Sequence, residues 1–236
     1  MNRHIQVIGF SRTGTTLLMM LLQACLKDFE VASGEKTLSR ALRGNKNTVG
    51  KRPLDMLNFD AMKQIGRDSI KDVDFILMQR DIRDVITSVH HNIPNDYFIG
   101  YDICYHVYGY NNGTKIEPGI GQLLRGYNLF KNDARTYIIR YEDLVSTPLK
   151  VQEALSTHCR LRWKHKFNDI RGVQVNKFYK DSNAVRPISS TEVSRWRRPE
   201  HRERIKEQFT NFPQLFDILI DDGYEEDNSW FDKYKI

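Results

Sequence analysis

Apolar and polar positions along the chain follow two alternating rhythms. Ile5 to Phe10 is a short, nearly continuous apolar run, of a length that suits a strand covered on both faces. Thr15 to Lys27 is longer and apolar on most faces, which predicts a buried helix. Glu30 to Ala32 reads as a second short strand. Arg40 to Arg52 is polar and contains glycine, so it reads as a loop, with a helix following from Leu54 to Ile65. Val73 to Gln79 is a buried strand around Phe75-Ile76-Leu77-Met78, and a helix is expected from Arg83 to His91. Gly121 to Asp133 is helical, Thr136 to Arg140 a strand and Leu149 to His158 a helix. Asp169 to Arg198 is polar, basic and loop-rich. Two closing helices are expected at Glu200 to Phe209 and Gln214 to Asp221. This alternation, without internal repeats, predicts an α/β layer fold around a mainly parallel sheet.

One stretch breaks the rhythm. Asn92 to Pro118 has poor periodicity and carries Tyr97, Phe98, Tyr101, Tyr105, Tyr108 and Tyr110. The 236 residues suit one domain, so residues 1–236 are expected to form a single domain, with an insertion or lid at about residues 92–120. A hydrophobic share of 40% with 28% charged residues excludes wholesale disorder and a membrane bundle. The longest apolar run, Leu17 to Leu22, is too short to span a bilayer. No charged segment followed by a small-residue cleavage site opens the chain, and a cytoplasmic location is expected. Cys25, Cys104 and Cys159 form no C-x-x-C pair and lack zinc-site spacing, which suits buried thiols in a reducing compartment. The net charge of +6 favours anionic ligands without naming one.

The strongest chemical signal is Gly9-Phe10-Ser11-Arg12-Thr13-Gly14-Thr15-Thr16, set between an expected strand and an expected helix. That is the context of a phosphate-binding loop. Glycines let the backbone curl so that amides point inward at an anion, and the helix N-terminus adds its positive end. Gly9 and Gly14 have the G-x-x-x-x-G spacing of a nucleoside-triphosphate loop. Such a loop next needs a lysine to reach the outer phosphates. Here that position is Thr15, and the cation lies inside the loop at Arg12. The strand ending Met78-Gln79-Arg80 delivers a cation where a magnesium-binding acid would be expected, so a magnesium–ATP site is disfavoured.

Ser11-Arg12-Thr13-Gly14-Thr15-Thr16 resembles the 5′-phosphosulfate loop of the sulfotransferases that use 3′-phosphoadenosine 5′-phosphosulfate (PAPS), whose bacterial and protein-tyrosine branches show P-R-S-G-T-T-like sequences. Three further segments agree in order. Arg80-Asp81-Ile82-Arg83-Asp84-Val85-Ile86-Thr87-Ser88 resembles the 3′-phosphate motif R-D-P-R-D-V-x-x-S, which implies phosphate contacts at Arg80 and Ser88, while Arg83 and Asp84 are expected to cap or pair locally. Arg140-Tyr141-Glu142-Asp143-Leu144, followed by Pro148, resembles R-Y-E-D-L…P and implies Tyr141 beside the nucleotide. Ser194-Arg195-Trp196 is similar to a late S-x-x-R-W or S-K-W element, which implies Arg195, with Ser182 and Arg186 as weaker candidates, at a cofactor phosphate; Trp196 is expected to pack. The R-K-G signature of the animal enzymes is absent. The resemblance implies a three-layer, P-loop NTPase-like sulfotransferase architecture.

The implied reaction moves a sulfuryl group from PAPS to a hydroxyl or amine by in-line displacement, releasing adenosine 3′,5′-bisphosphate (PAP), with no metal. Arg12 and the Gly14 to Thr16 amides would hold the 5′-phosphate and the leaving oxygen. Gly50-Lys51-Arg52-Pro53 matches a K-x-P element and makes Lys51 the transition-state cation. No histidine lies between Arg12 and Lys51, which removes the histidine base of the cytosolic small-molecule branch. Ser33-Gly34-Glu35-Lys36-Thr37 resembles a G-E-x-T element and implies Glu35 as the base, with His90 and His91 as weaker alternatives. Two other classes stay open: a kinase using Mg-ATP, and a nucleic-acid-binding module using the basic segments Arg160 to Lys166 and Arg195 to Arg204. The partners expected are the nucleotide donor and an acceptor that is a small molecule, carbohydrate or peptide; neither nucleic acid nor a membrane span is expected.

Overall fold

The computed structural model describes residues 2–93, 95–108, 113–170 and 188–234. The chain divides into two compact units, Met1–Gln79 with Arg125–Ser190, and Arg80–Leu124 with Thr191–Ile236.

The first unit is built on a five-stranded parallel sheet. Its strands are β1 (Arg3–Gly9), β2 (Glu30–Val31), β3 (Thr48–Lys51), β4 (Asp72–Gln79) and β5 (Thr136–Arg140), in the order β2-β3-β1-β4-β5. Register follows the pleat. Val7 lies beside Ile76 and Gln6 beside Phe75, so side chains of adjacent strands share faces. One face is covered by helix α1 (Thr15–Cys25) with α6 (Tyr141–Ser146) and α7 (Pro148–His158), which bury Leu18, Leu22, Leu144, Val151 and Leu155 against Ile5, Val7, Ile76, Met78 and Ile139. The other face carries α3 (Phe59–Arg67) and α5 (Ile120–Lys131), with Phe130 against both Phe59 and Phe75. Helix, sheet and helix make the three layers expected.

Several expectations need correction. The polar stretch from residue 40 to 52 is not a plain loop. It holds the end of α2 (Leu38–Ala41) and the whole of β3. Among its four residues β3 has a single large apolar side chain, Val49, so its pattern is silent; pairing with β1 on one side and β2 on the other makes it a strand. The helix expected from Leu54 begins instead as a 3-10 turn, Pro53–Asn58, before α3. The helix expected to run to His91 is only α4 (Ile82–Ile86). It stops where the Thr87 hydroxyl donates back to the Arg83 carbonyl at 2.7 Å, a competitor for that carbonyl at the helix's last turn.

The second unit contains α4, an antiparallel hairpin of β6 (Ile103–Tyr108) and β7 (Gly113–Pro118), and helices α8 (Arg202–Asn211) and α9 (Gln214–Asp221). The hairpin lies inside the aromatic stretch that reads as irregular in sequence. Phe209, Phe216, Trp230, Phe231 and Tyr234 pack edge to face and stacked as this unit's aromatic core, which gives the C-terminal tail a packing role. All three cysteines are free and buried. Burial pushes the Cys25 and Cys159 thiols up to about 11, which makes them inert at neutral pH. Among the described residues, no helix is long and apolar enough to cross a membrane.

Candidate functional site

In the first unit the loop after β1 is bent through three left-handed residues, Gly9 (φ 140°), Arg12 (φ 73°) and Gly14 (φ 91°). Two of them need glycine. A Cβ on Gly9 would lie 2.6 Å from the Met78 carbonyl oxygen, and one on Gly14 would lie 2.5 Å from the Tyr141 ring. Arg12 is not glycine and holds its left-handed backbone at a steric penalty, which presents its side chain outward at the loop tip. The Thr13 hydroxyl donates to the Phe10 carbonyl at 2.7 Å, so it closes the turn. Helix α1 starts at once, with the Leu18 amide donating to the Gly14 carbonyl at 3.0 Å, and no side chain caps it. Thr15 is buried while Ser11 and Thr16 are partly exposed. The geometry is a curled backbone followed by an uncapped helix N-terminus, the arrangement that binds anions.

Lys51 ends β3 beside this loop. Its ammonium donates to the Thr16 hydroxyl at 3.1 Å and pairs with Glu35 at 3.4 Å. Burial lowers the Lys51 pKa; the Glu35 charge and hydrogen bond oppose that shift, and the Arg12 charge adds to it. Lys51 is 7% exposed, so Glu35 is what favours its charged form in a place where a bare cation is unfavourable. Thr16, Glu35 and Lys51, from three separate segments, therefore meet at the carboxyl ends of β1 and β3, within reach of the Arg12 charge. Tyr141 packs on the loop's second glycine.

The second unit holds the other group of residues. Arg80 directly follows β4, and its guanidinium lies 3.6 Å from the Asp84 carboxylate. The same carboxylate accepts the backbone amides of Ser194 at 2.8 Å and Trp196 at 3.0 Å, which flank Arg195. Asp84 thus pairs locally with Arg80, as the sequence suggests, and in addition ties α4 to a segment 110 residues away. Nothing in the spacing of residues signals this, because the partners are backbone amides. Burial raises the Asp84 pKa, and Arg80 with the two amides opposes the rise. Arg83 does pair locally, bonding to Asp81 at 2.8 Å, and also pairs with Glu225. Its guanidinium is stacked 3.9 Å over Trp196 and 4.6 Å over Trp230, so Trp196 packs, as expected. The Ser88 hydroxyl is buried and has no hydrogen-bond partner among the described residues. Such an orphan group is costly unless something else satisfies it. Ser182 and Arg186 lie outside the described residues.

Sequence reading missed the polar residues behind β3. His4 and Gln6 are wholly buried on one face of β1, and Asp55 is buried in the turn after β3. The expected strand, Ile5 to Phe10, contains the polar residue Gln6, and the structure extends it back to Arg3, which adds His4 two positions earlier on the same face.

No family model matches the sequence, and neither does any curated protein sequence. The fold does match solved structures. The sulfotransferase domain of the curacin biosynthetic pathway superposes with a TM-score of 0.51 at 13% identity, over 89% of this chain and 98% of that one. The sulfotransferase domain of the Synechococcus PCC 7002 olefin synthase gives 0.51 at 14% identity, over 83% and 88%. A mouse sulfotransferase complexed with PAP gives 0.52 at 13% identity, over 92% and 88%. Together with the layer order and the loop after β1, these matches show that the chain is built on the sulfotransferase fold.

Proposed function

We propose that this protein is a sulfotransferase that moves a sulfuryl group from PAPS to a hydroxyl or amine acceptor. The observation that carries this reading is the meeting of Arg12, Thr16, Lys51 and Glu35 around a left-handed loop and an uncapped helix N-terminus. Two cations and a carboxylate stand where a nucleoside-triphosphate loop would place one lysine. That suits transfer stabilised by fixed charges. The similarity in fold to a sulfotransferase complexed with PAP supports a site for that nucleotide.

In this reaction the acceptor oxygen attacks sulfur, the bond from sulfur to the donor's phosphate oxygen breaks, and the electron pair leaves with PAP. Arg12 and the amides at the start of α1 hold the 5′-phosphate. Lys51 neutralises charge growing on the bridging oxygen, and its burial strengthens that effect by excluding water. Glu35, one-third exposed at its side chain, takes the acceptor's proton while its neighbour Lys51 orients it. Arg80, Ser88 and Arg195 hold the 3′-phosphate, which gives the buried Ser88 hydroxyl its missing partner. Tyr141, set against the loop, borders the nucleotide. Residues 1–236 act as one catalytic chain, with residues 92–120 on the acceptor side. Three buried free thiols fit a cytoplasmic enzyme.

Thermal unfolding with PAP, with ATP plus magnesium and with neither tests the reading. A ligand at 100 times its Kd stabilises by about 2.7 kcal/mol. PAP should raise the midpoint with or without EDTA. A shift with Mg-ATP alone would sink the proposal and favour a kinase. Glu35→Gln should keep the PAP shift and lose transfer from labelled PAPS.

A further inference from the structure

A chain of buried polar groups runs beneath β3. The Lys71 ammonium donates to the Thr48 hydroxyl at 3.2 Å, and that hydroxyl lies 2.8 Å from His4 Nδ1. His4 Nε2 lies 2.9 Å from Gln6 Oε1, an oxygen that only accepts, so Nε2 carries the proton and Nδ1 accepts from Thr48. Gln6 Nε2 then donates to the Asp55 carboxylate at 3.0 Å. The Thr48 hydroxyl also lies 3.3 Å from the Ala41 carbonyl, a second acceptor for its single proton.

Asp55 ends this chain between the two segments that carry Glu35 and Lys51. The backbone amide of Leu38, three residues after Glu35, donates to it. Arg52, next to Lys51, donates to it at 3.2 Å. The Lys36 amide also donates to the Lys51 carbonyl at 3.2 Å, so the two segments share a backbone bond. Gly50 leaves room for this arrangement: a Cβ there would lie 2.6 Å from Gln6 Oε1.

We propose that Asp55, oriented by Gln6, is a positioning residue that holds Lys51 and Glu35 in register with each other at the phosphate loop. The proposal rests on the sulfotransferase reading for the use made of that pair, but the clamp itself does not need a ligand. Asp55 is 5% exposed, and burial raises its pKa to about 6, opposed by Arg52, the Leu38 amide and Gln6. The clamp is therefore strongest above pH 6 and loosens as the carboxylate is protonated. Arg52 is the charge that faces Asp55 from its own turn. His4 reaches it through Gln6 from β1, and α2 offers only a backbone amide. Burial holds His4 down at about 4, so it stays neutral across this change.

The test compares the full-length wild type with Asp55→Asn, Gly50→Ala and Arg52→Gln. Without nucleotide, amine labelling followed by mass spectrometry reads the Lys51 side chain, which is 9% exposed. Asp55→Asn and Gly50→Ala should each raise Lys51 labelling about tenfold, with exposed Lys46 labelled as in the wild type. Arg52→Gln alters a side chain that is 36% exposed and should retain the fold while giving a smaller rise. Lys51 as protected in these variants as in the wild type would overturn the clamp. PAP affinity across pH 5 to 8 is the second readout. The nucleotide's phosphates also titrate near pH 6, so the contribution of Asp55 is the difference between the wild-type and Asp55→Asn curves. It should fall away below pH 6, and superimposable curves of equal affinity would overturn the proposal. A wild type that ignores PAP would sink the sulfotransferase reading and leave the clamp to be judged by labelling.

Discussion

The two groups of charged residues solve the same problem in opposite ways. In the first unit, Lys51 is buried with a partly exposed carboxylate and a hydroxyl as its side-chain partners among the described residues, and burial pulls its pKa down. In the second, Asp84 is buried among a guanidinium and two backbone amides, while Arg83 is sandwiched between two indoles and paired with two carboxylates. The Asp84 carboxylate is wholly enclosed and binds distant segments together, and its partner Arg80 is the member proposed to meet a phosphate. The Lys51 group is open, with an unusual backbone beside it and charge left facing outward. An enclosed, fully bonded carboxylate such as Asp84 suits stability, and an open group such as that of Lys51 suits a reacting ligand. Substitutions should separate the two.

The largest effect is expected at Asp84. Asp84→Ala leaves a buried guanidinium and two amides without their acceptor and should cost about 3–5 kcal/mol, read by denaturant unfolding. A loss under about 1 kcal/mol would erase the contrast. Lys51→Met should do the reverse. Removing a poorly compensated buried cation should leave stability within about 1 kcal/mol of the wild type, while transfer from labelled PAPS falls about 100- to 1,000-fold. Equal damage to stability would show that the open group is structural too.

His4→Asn sharpens the picture by pH. His4 has a folded pKa of about 4 against 6.5 unfolded, so the unfolded chain binds more protons between these values. Its contribution is full above pH 6.5 and is lost as pH falls towards 4, by about 3 kcal/mol in all. Asp55 has the opposite sign. Its folded pKa is raised from 3.8 to about 6, so its contribution is present at low pH and lost as pH rises through 6. In the wild type the two offset each other. In His4→Asn the Asp55 contribution stands alone, and stability relative to the wild type should improve on acidification from pH 6.5 to 4. Urea unfolding at several pH values reads it, and parallel curves would contradict the assignment. The smallest effect is expected at Arg12. Arg12→Gly relieves the left-handed backbone and should stabilise the protein by about 1 kcal/mol, while PAP binding weakens.

Much of this was legible in sequence because it depends on local pattern. The apolar runs at Ile5 and Val73 became the central strands β1 and β4, since strands covered on both faces are largely apolar, and Thr136 to Arg140 became the edge strand β5. The loop from Gly9 to Thr16 was readable because left-handed turns demand glycine at two of its positions. Less could be read where partners are remote. Four residues with one apolar side chain became β3 through pairing with two neighbours. The hairpin β6–β7 sits in a segment whose aromatic residues gave no period. The local pairing of Asp84 with Arg80 was legible, but its bonds to the amides of residues 194 and 196 were not.

The sequence by itself determined the α/β class, the place of the anion-binding loop and the absence of a lysine at position 15. Each of these follows from near-neighbour sterics and from the period of apolar residues. Only the tertiary structure decided that Glu35 and Lys51 form a pair, that Asp55 and Gln6 stand behind them, and that the Ser88 hydroxyl is buried without a partner among the described residues. Those facts depend on which chain segments the parallel sheet sets side by side. Hydrogen bonds and desolvation act over a few ångströms in space, and separation along the chain carries no measure of that distance.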